Sequence, residues 1–276
     1  MKVYLHIGMS KAGSTAIQRC LTSRQEALRD AGVCYPVAGR IRNAHYALFL
    51  DLRDGRGAGA VPDMLAEAEG AGASTMVVSV EGLWFLPDDA VAQLADALAG
   101  HDARVVLYLR RPDAYLTSSY RQRIKKKRGT ASVQAFVAEP IARLRYDHVL
   151  ARWARHFPLR VRAYEAVRSD LVGDFAEATG TRAVLDCSPG RRLNVTPSDG
   201  ALRLMLWANR IVASDKVGRT VNRRLLAWQR AFGWMPPLND APLVARARAE
   251  AERWDRAVMA RHLAPEDLAA ITPPAG

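Results

Sequence analysis

Short apolar runs alternate along the chain with longer amphipathic stretches. β-Branched and aliphatic residues dominate four runs, at residues 3–7, 75–80, 104–109 and 159–164. Each run is followed by a loop and then by apolar residues at helical spacing, as in residues 88–98. Strands that alternate with helices favour a parallel sheet covered on both faces. We therefore predict an α/β fold in three layers, with a parallel sheet flanked by helices.

The pattern changes after residue 197, where the strand signal disappears. Residues 198–212 and 243–263 have apolar positions at helical spacing, and no Pro/Gly/Ser-rich linker divides them from the sheet. We expect a mainly helical C-terminal third within a single domain over residues 1–271, followed by a flexible tail at residues 272–276. A further helix is predicted at residues 169–179, capped by Ser169 and stopped by Gly180.

The first predicted strand, which contains His6, runs into the glycine-bearing segment Gly-Met-Ser-Lys-Ala-Gly-Ser-Thr of residues 8–15. Gly8 and Gly13 allow backbone amides to converge on a phosphate, and the start of the following helix adds a favourable dipole. The kinase and ATPase pattern GxxxxGK[ST] is close, but Ser14 follows Gly13 and the lysine lies inside the loop at Lys11. We interpret His6 as structural and the loop as an anion site.

A second candidate phosphate contact follows the third predicted strand. This strand ends in Arg110-Arg-Pro112, and Ser118 lies eight residues after Arg110 in the predicted helix that Pro112 begins. A guanidinium fork suits a doubly charged phosphate, and a hydroxyl supplies one further donor.

Together, Lys-x-Gly-Ser-Thr after an N-terminal strand and Arg-x-Pro with a serine at this separation resemble the sulfotransferases that use 3'-phosphoadenosine 5'-phosphosulfate (PAPS), of the bacterial, carbohydrate-sulfotransferase-like type. The resemblance covers residues 2–120 well and residues 146–165 loosely. It implies a P-loop-like sheet and a sulfuryl transfer that releases adenosine 3',5'-bisphosphate. Arg110 and Ser118 would bind the 3'-phosphate, and Lys11 would stabilise the leaving phosphate. The loop residues that would bind the cofactor are Lys11, Ala12, Gly13, Ser14 and Thr15.

Sulfuryl transfer also needs a base that accepts the proton of the attacking group. Glu81 is the first choice, because it follows the second predicted strand and carboxyl ends of parallel strands face the ligand crevice. His45 is the rival, since an imidazole titrates near neutrality. The family has members with either type of base. Two basic segments, residues 191–196 and 216–219, are weak candidates for the rim of the site.

Charge and composition narrow the classes of partner that the protein is expected to bind. The chain has 40 Lys and Arg against 28 Asp and Glu, a net charge of +12 that favours anionic ligands. Cys20, Cys34 and Cys187 lack the spacing of a zinc site, so we expect reduced thiols in a cytoplasmic protein and no metal. Neither a signal peptide nor a membrane span is predicted. The acceptor is expected to be a small molecule or carbohydrate bearing a hydroxyl or amine, and it can itself be anionic.

Two alternatives stay open at this stage. A P-loop nucleotide kinase or NTPase would use the same loop, but it would need a magnesium site and a lysine after Gly13. A basic nucleic-acid-binding protein would explain the net charge. We do not expect nucleic acid as a partner, because the sequence lacks the interleaved aromatic and basic residues of a single-strand binder.

Overall fold

The computed structural model describes residues 1–127, 129–139, 144–182, 184–185, 197–232, 234–236 and 238–273. Its internal contacts divide the chain into two compact units. The sheet unit comprises Met1–Arg111, Arg145–Gly190 and Trp254–Thr272, and the helical unit comprises Pro112–Leu144, Arg191–Arg253 and Pro273–Gly276. The single domain expected over residues 1–271 stays a prediction.

The strands of the sheet unit form one parallel sheet in the order β2-β3-β1-β4-β5. Their bounds are Lys2–His6 (β1), Val33–Cys34 (β2), Thr75–Ser79 (β3), Asp102–Leu109 (β4) and Leu159–Ala163 (β5). All of β3 and the last five residues of β4 are buried, as expected for strands covered on both faces. The predicted α/β fold with a parallel sheet flanked by helices is confirmed.

Helices connect and follow these strands. In chain order they are Ser14–Ser23 (α1), Gln25–Asp30 (α2), Tyr46–Arg53 (α3), Val61–Gly70 (α4), Asp88–Ala97 (α5), Pro112–Lys127 (α6), Val133–Ala138 (α7), Tyr146–Ala154 (α8), Tyr164–Val167 (α9), Leu171–Thr179 (α10), Asp199–Ile211 (α11), Asp215–Ala227 (α12), Ala241–Glu252 (α13), Arg256–His262 (α14) and Pro265–Ile271 (α15). Short 3-10 turns occupy Glu81–Phe85 and Gln229–Phe232.

The strand order indicates that a ligand would bind near the carboxyl end of β1. The connection after β1 leads to the edge strand β2, whereas the connections after β2, β3 and β4 lead back across the sheet. In open α/β sheets, ligands bind beyond the carboxyl ends of the strands at the point where the direction of the connections reverses. The loop after β1 lies at that point.

Local differences from the predicted elements have simple causes. Strand β2 was missed because it is only two residues long. The helix expected to start at Ser169 starts at Leu171, since the Asp170 side chain accepts a hydrogen bond from the Gly173 amide at 3.0 Å; it ends at Gly180, as predicted. The helix expected over residues 243–263 is two helices, because Asp255 caps the start of α14.

Helices α11 to α15 follow one another through residues 199–271, which confirms the mainly helical C-terminal third. The helical unit contains α6, α7, α11, α12 and α13. Asn209 of α11 and Asn222 of α12 are both buried and hydrogen-bonded to each other at 3.1 Å. Asn209 also donates to the backbone oxygen of Ile124 in α6, at 3.0 Å. Residues 216–219, one of the two basic segments considered for the rim of the site, belong to α12.

The cysteines differ from expectation in one respect. Cys34 is free and buried, but Cys20 is disulfide-bonded, so the expectation of reduced thiols is wrong for Cys20. Cys187 lies outside the described residues. Within the part of the chain that the structure describes, no helix has both the length and the apolar character to cross a membrane.

A buried carboxylate attaches the last helix to the sheet. Asp267 of α15 is 1% exposed and accepts hydrogen bonds from the Arg162 side chain and the Ala163 amide, both at 2.9 Å. We expect Asp267→Ala to lower the free energy of unfolding by about 2 kcal/mol or more, because it leaves the buried Ala163 amide unpaired and removes one of the two carboxylates that bind Arg162, the other being Asp174. Glu266→Ala, at an exposed neighbour, should change it by less than about 0.5 kcal/mol. Equal losses in urea denaturation would contradict this role of Asp267.

Candidate phosphate-binding site

The loop between β1 and α1 turns at two residues with positive φ. Gly13 has φ 80°, and a Cβ atom there would collide with Leu171 and lie 3.1 Å from the Tyr164 ring. Glycine is therefore favoured by both the left-handed backbone and the packing against Leu171. Lys11 adopts φ 71° without that freedom. Backbone held in this way concentrates at functional sites, because the surrounding structure must support its cost.

Helix α1 begins directly after this turn. Gly13 precedes its first residue, and no side chain caps the helix start. The amides of Ser14 and Thr15 belong to the first turn, whose N–H groups have no partner inside the helix. Thr15 is exposed, whereas the Ala12 amide already donates to the Met9 carbonyl at 3.2 Å. The positive end of α1 therefore presents the Ser14 and Thr15 amides, and the Ala12 amide is engaged within the loop.

Glu81 lies beside this loop. It is the first residue of the 3-10 turn after β3 and is half-buried. Burial raises the pKa of the Glu81 carboxyl above its ordinary value, while the Ser14 hydroxyl and the charge of Lys11 act in the opposite direction. The structure thus brings together three residues that the sequence had proposed separately, namely Glu81, Lys11 and Ser14.

His45 has a different environment. Its side chain is fully buried, its Nδ1 accepts a hydrogen bond from the Ser79 amide at 3.1 Å, and its Nε2 lies 3.1 Å from the Pro36 carbonyl. Burial lowers the pKa of His45 to about 4. With both ring nitrogens engaged by backbone groups, the imidazole has no open position for the proton of an acceptor.

Arg110 reaches the loop from the end of β4. Its guanidinium donates to the Lys11 carbonyl at 2.5 Å and lies over the Tyr164 ring, 5.5 Å from its centroid. The Arg110 carbonyl accepts a hydrogen bond from the Tyr146 hydroxyl at 2.6 Å. Arg110 is thus a second cationic residue, after Lys11, at the loop between β1 and α1.

The structure adds Tyr164 and Glu165, which sequence reasoning had not assigned to the site. They follow β5 directly, and Glu165 accepts a hydrogen bond from the Arg111 amide at 3.0 Å. Its carboxylate lies 3.9 Å from the Arg110 guanidinium. Burial raises the pKa of Glu165, and the neighbouring amide and arginines partly offset this. The rule that pointed to Glu81, a polar residue just after a parallel strand, also applies to Glu165.

Ser118 and residues 191–196 were also proposed for the site, but they are not assigned to the group of residues described above. Ser118 lies in α6 of the helical unit, whereas Arg110 lies in the sheet unit, so their shared role stays a prediction. Residues 191–196 lie outside the described residues. Among the residues that are described, no cluster of three or more His, Cys, Asp or Glu side chains is arranged to hold a metal ion.

Comparisons with known proteins give weak matches. No protein-family model matches the sequence, and no curated protein is significantly similar to it. A sulfotransferase from Alicyclobacillus acidocaldarius has a similar structure, with a TM-score of 0.48 and 16% identity over 94% of this chain and 99% of that one. The sulfotransferase domain from the curacin biosynthetic pathway has a TM-score of 0.40 and 9% identity, over 92% and 98%.

A chain of the PezAT toxin–antitoxin system of Streptococcus pneumoniae also matches, with a TM-score of 0.26 and 17% identity over 82% of this chain and 87% of that one. These scores and identities are too low to carry an argument about activity.

The demand for glycine at position 13 gives a direct test of the loop geometry. Gly13→Ala combines a left-handed backbone with a collision against Leu171, whereas Gly72→Ala has the same type of backbone (φ 63°) and no atom within 4 Å. We expect Gly72→Ala to cost about 1 kcal/mol in the free energy of unfolding. Gly13→Ala should cost roughly 1 to 3 kcal/mol more, because overpacking adds to the backbone strain. Equal losses in denaturant titrations would contradict the close packing of the loop.

Proposed function

We propose that the chain is a sulfotransferase that moves a sulfuryl group from PAPS to a hydroxyl or amine of a small-molecule or carbohydrate acceptor. The observation that carries this proposal is the grouping of Glu81, Lys11 and Ser14 at the mouth of the loop after β1. A base, a cation and a helix start in one place are what a transfer between two anionic groups requires.

The loop would bind the phosphosulfate end of the nucleotide. The Ser14 and Thr15 amides at the start of α1 favour an anion through hydrogen bonds and the helix dipole. Lys11 would place positive charge where the bridging oxygen becomes anionic as its bond to sulfur breaks. The strained backbone of Lys11 and the close packing of Gly13 support this interpretation, since both hold the loop in one shape.

Glu81 would act as the general base. As the acceptor oxygen forms its bond to sulfur, its proton passes to the Glu81 carboxylate. Burial raises the pKa of this carboxyl, which makes the carboxylate a stronger proton acceptor than an exposed glutamate. The base is active when deprotonated, so turnover should rise with pH through the pKa of Glu81 and then level off.

Arg110 would bind the 3'-phosphate of the nucleotide, together with Ser118. Its guanidinium is held near the loop by the Lys11 carbonyl, and Glu165 lies within ion-pair distance. An arginine that already contacts the loop can add a phosphate contact with little loss of side-chain entropy.

The first test is a binding screen that separates this proposal from its two alternatives. Calorimetry would compare the binding of PAPS, adenosine 3',5'-bisphosphate, ATP with magnesium and single-stranded DNA. All ligands except ATP would be measured both with and without a chelator. We expect the first two ligands to bind most tightly and without sensitivity to the chelator. Preference for ATP with magnesium would favour the kinase alternative, and preference for DNA the nucleic-acid-binding one.

Arg110→Ala tests the second phosphate contact. A charge-assisted hydrogen bond contributes roughly 1.5 to 3 kcal/mol, so the affinity for adenosine 3',5'-bisphosphate should fall about tenfold or more while the affinity for 5'-AMP barely changes. The matched control is Arg155→Ala, which removes the same charge at an exposed position of the sheet unit and should leave both affinities unchanged. Equal binding of the two nucleotides by the native protein would refute the assignment.

Glu81→Gln tests the base. The substitution keeps shape and polarity but removes the proton acceptor, so nucleotide affinity should hold while turnover falls about a hundredfold to ten-thousandfold and loses its dependence on this carboxyl. Glu69→Gln, at an exposed glutamate of α4, is the control and should keep native turnover. If Glu81→Gln stayed active and a folded His45→Ala variant lost turnover with nucleotide binding intact, the base would be His45.

A further inference from the structure

A buried polar cluster lies under the phosphate loop and links three elements of the sheet unit. Ser79, the last residue of β3, accepts a hydrogen bond from the Gln18 amide of α1 at 3.2 Å. The His6 Nδ1 atom of β1 lies 2.8 Å from the same Ser79 hydroxyl. Ser79 and His6 are both fully buried. None of these three residues belongs to the site proposed above.

The hydrogen bonds of this cluster define the state of the His6 ring. Burial lowers the pKa of His6 to about 3, so the ring is neutral and has one donor nitrogen and one acceptor nitrogen. Ser79 Oγ accepts from Gln18 and has a single proton to donate, either to His6 Nδ1 or to the Tyr35 hydroxyl. Donation to His6 makes Nδ1 the acceptor and places the ring hydrogen on Nε2.

The Nε2–H group then points at the underside of the loop. His6 Nε2 lies 3.0 Å from the position that a Cβ atom on Gly8 would take, and such a Cβ would also collide with Ser14 Oγ. Both polar atoms are buried; among the described residues His6 Nε2 has no hydrogen-bond partner, and the Ser14 hydroxyl interacts with the Glu81 carboxyl but has no donor to its oxygen. A buried donor and a buried acceptor that face one small space call for an explanation, since buried polar atoms are nearly always paired.

We propose that His6 is a positioning residue for the phosphate loop, and that its Nε2–H donates to Ser14 Oγ when an anion occupies the loop. This inference rests on the proposed function. A hydroxyl that accepts from His6 must direct its own proton elsewhere, toward the anion or toward Glu81, whose carboxyl pKa the Ser14 hydroxyl already lowers. Gly8 contributes by lacking the side chain that would separate the two groups.

The competing explanation is that His6 only fills space. Its ring packs against Tyr108 and Phe175, with centroid separations of 6.0 Å and 5.4 Å. A packing role would not require a particular tautomer of His6. It would also make the effects of substituting His6 and Ser14 on ligand affinity independent of each other.

The first measurement needs no ligand. Long-range proton–nitrogen NMR of the histidine rings in the free native protein, assigned with His6→Phe, should show a neutral Nε2–H tautomer for His6 from pH 5 to pH 8. The Nδ1–H tautomer, or a ring that gains a charge in this range, would overturn the proposal.

The second measurement is a double-mutant cycle read by the affinity for adenosine 3',5'-bisphosphate. His6→Phe and Ser14→Ala should each weaken binding about three- to tenfold, and the double variant should bind no worse than Ser14→Ala alone. His6→Gln, which restores an N–H near the Nε2 position, should recover most of the loss. The control is Tyr108→Phe, which removes a partly buried hydrogen bond to Asp174 at 2.8 Å beside the His6 ring and should leave affinity unchanged.

Independent losses in His6→Phe and Ser14→Ala would overturn the role of His6. If His6→Phe does not fold, His6→Gln decides the question by itself, because a full loss of affinity in that folded variant would overturn the proposal. If the native protein does not bind the bisphosphate, the proposed function fails, whereas the NMR experiment still decides the hydrogen bonding of His6.

Discussion

The close passage of the chain from β1 into α1 is the constraint on which the rest of the site depends. At Gly13 the backbone lies against Leu171 and Tyr164 with no room for a side chain, and its φ is positive. This contact fixes the start of α1 over the end of the central strand. The amides of the first helical turn then face the crevice where the connections of the sheet reverse direction. A looser turn would point them elsewhere.

Charge is distributed around that turn in a consistent way. Two cationic residues lie at the loop: Lys11 is part of it, and Arg110 follows the end of β4. Two carboxylates, Glu81 and Glu165, follow the ends of β3 and β5. Burial raises the pKa of both carboxyls. Buried carboxyls with raised pKa values in a crevice are typical of functional sites.

The sequence predicted the parallel sheet, the helical C-terminal third and the loop, because these follow from local patterns of apolar spacing and glycine. It also proposed Glu81 from its place after a strand, a rule that equally covers Glu165. It did not predict that both nitrogens of His45 are engaged by backbone groups, or that His6 and Ser14 face one space. Those features depend on contacts between residues far apart in the chain, which a local pattern does not encode.

The most direct measurement is a crystal structure of the protein with adenosine 3',5'-bisphosphate. The account predicts the 5'-phosphate against the Ser14 and Thr15 amides, with Lys11 beside it and the 3'-phosphate on the Arg110 guanidinium. Glu81 should remain open to the space beyond the 5'-phosphate, where an acceptor would lie. A nucleotide bound away from the loop, or a loop that stays empty at saturating ligand, would contradict the account.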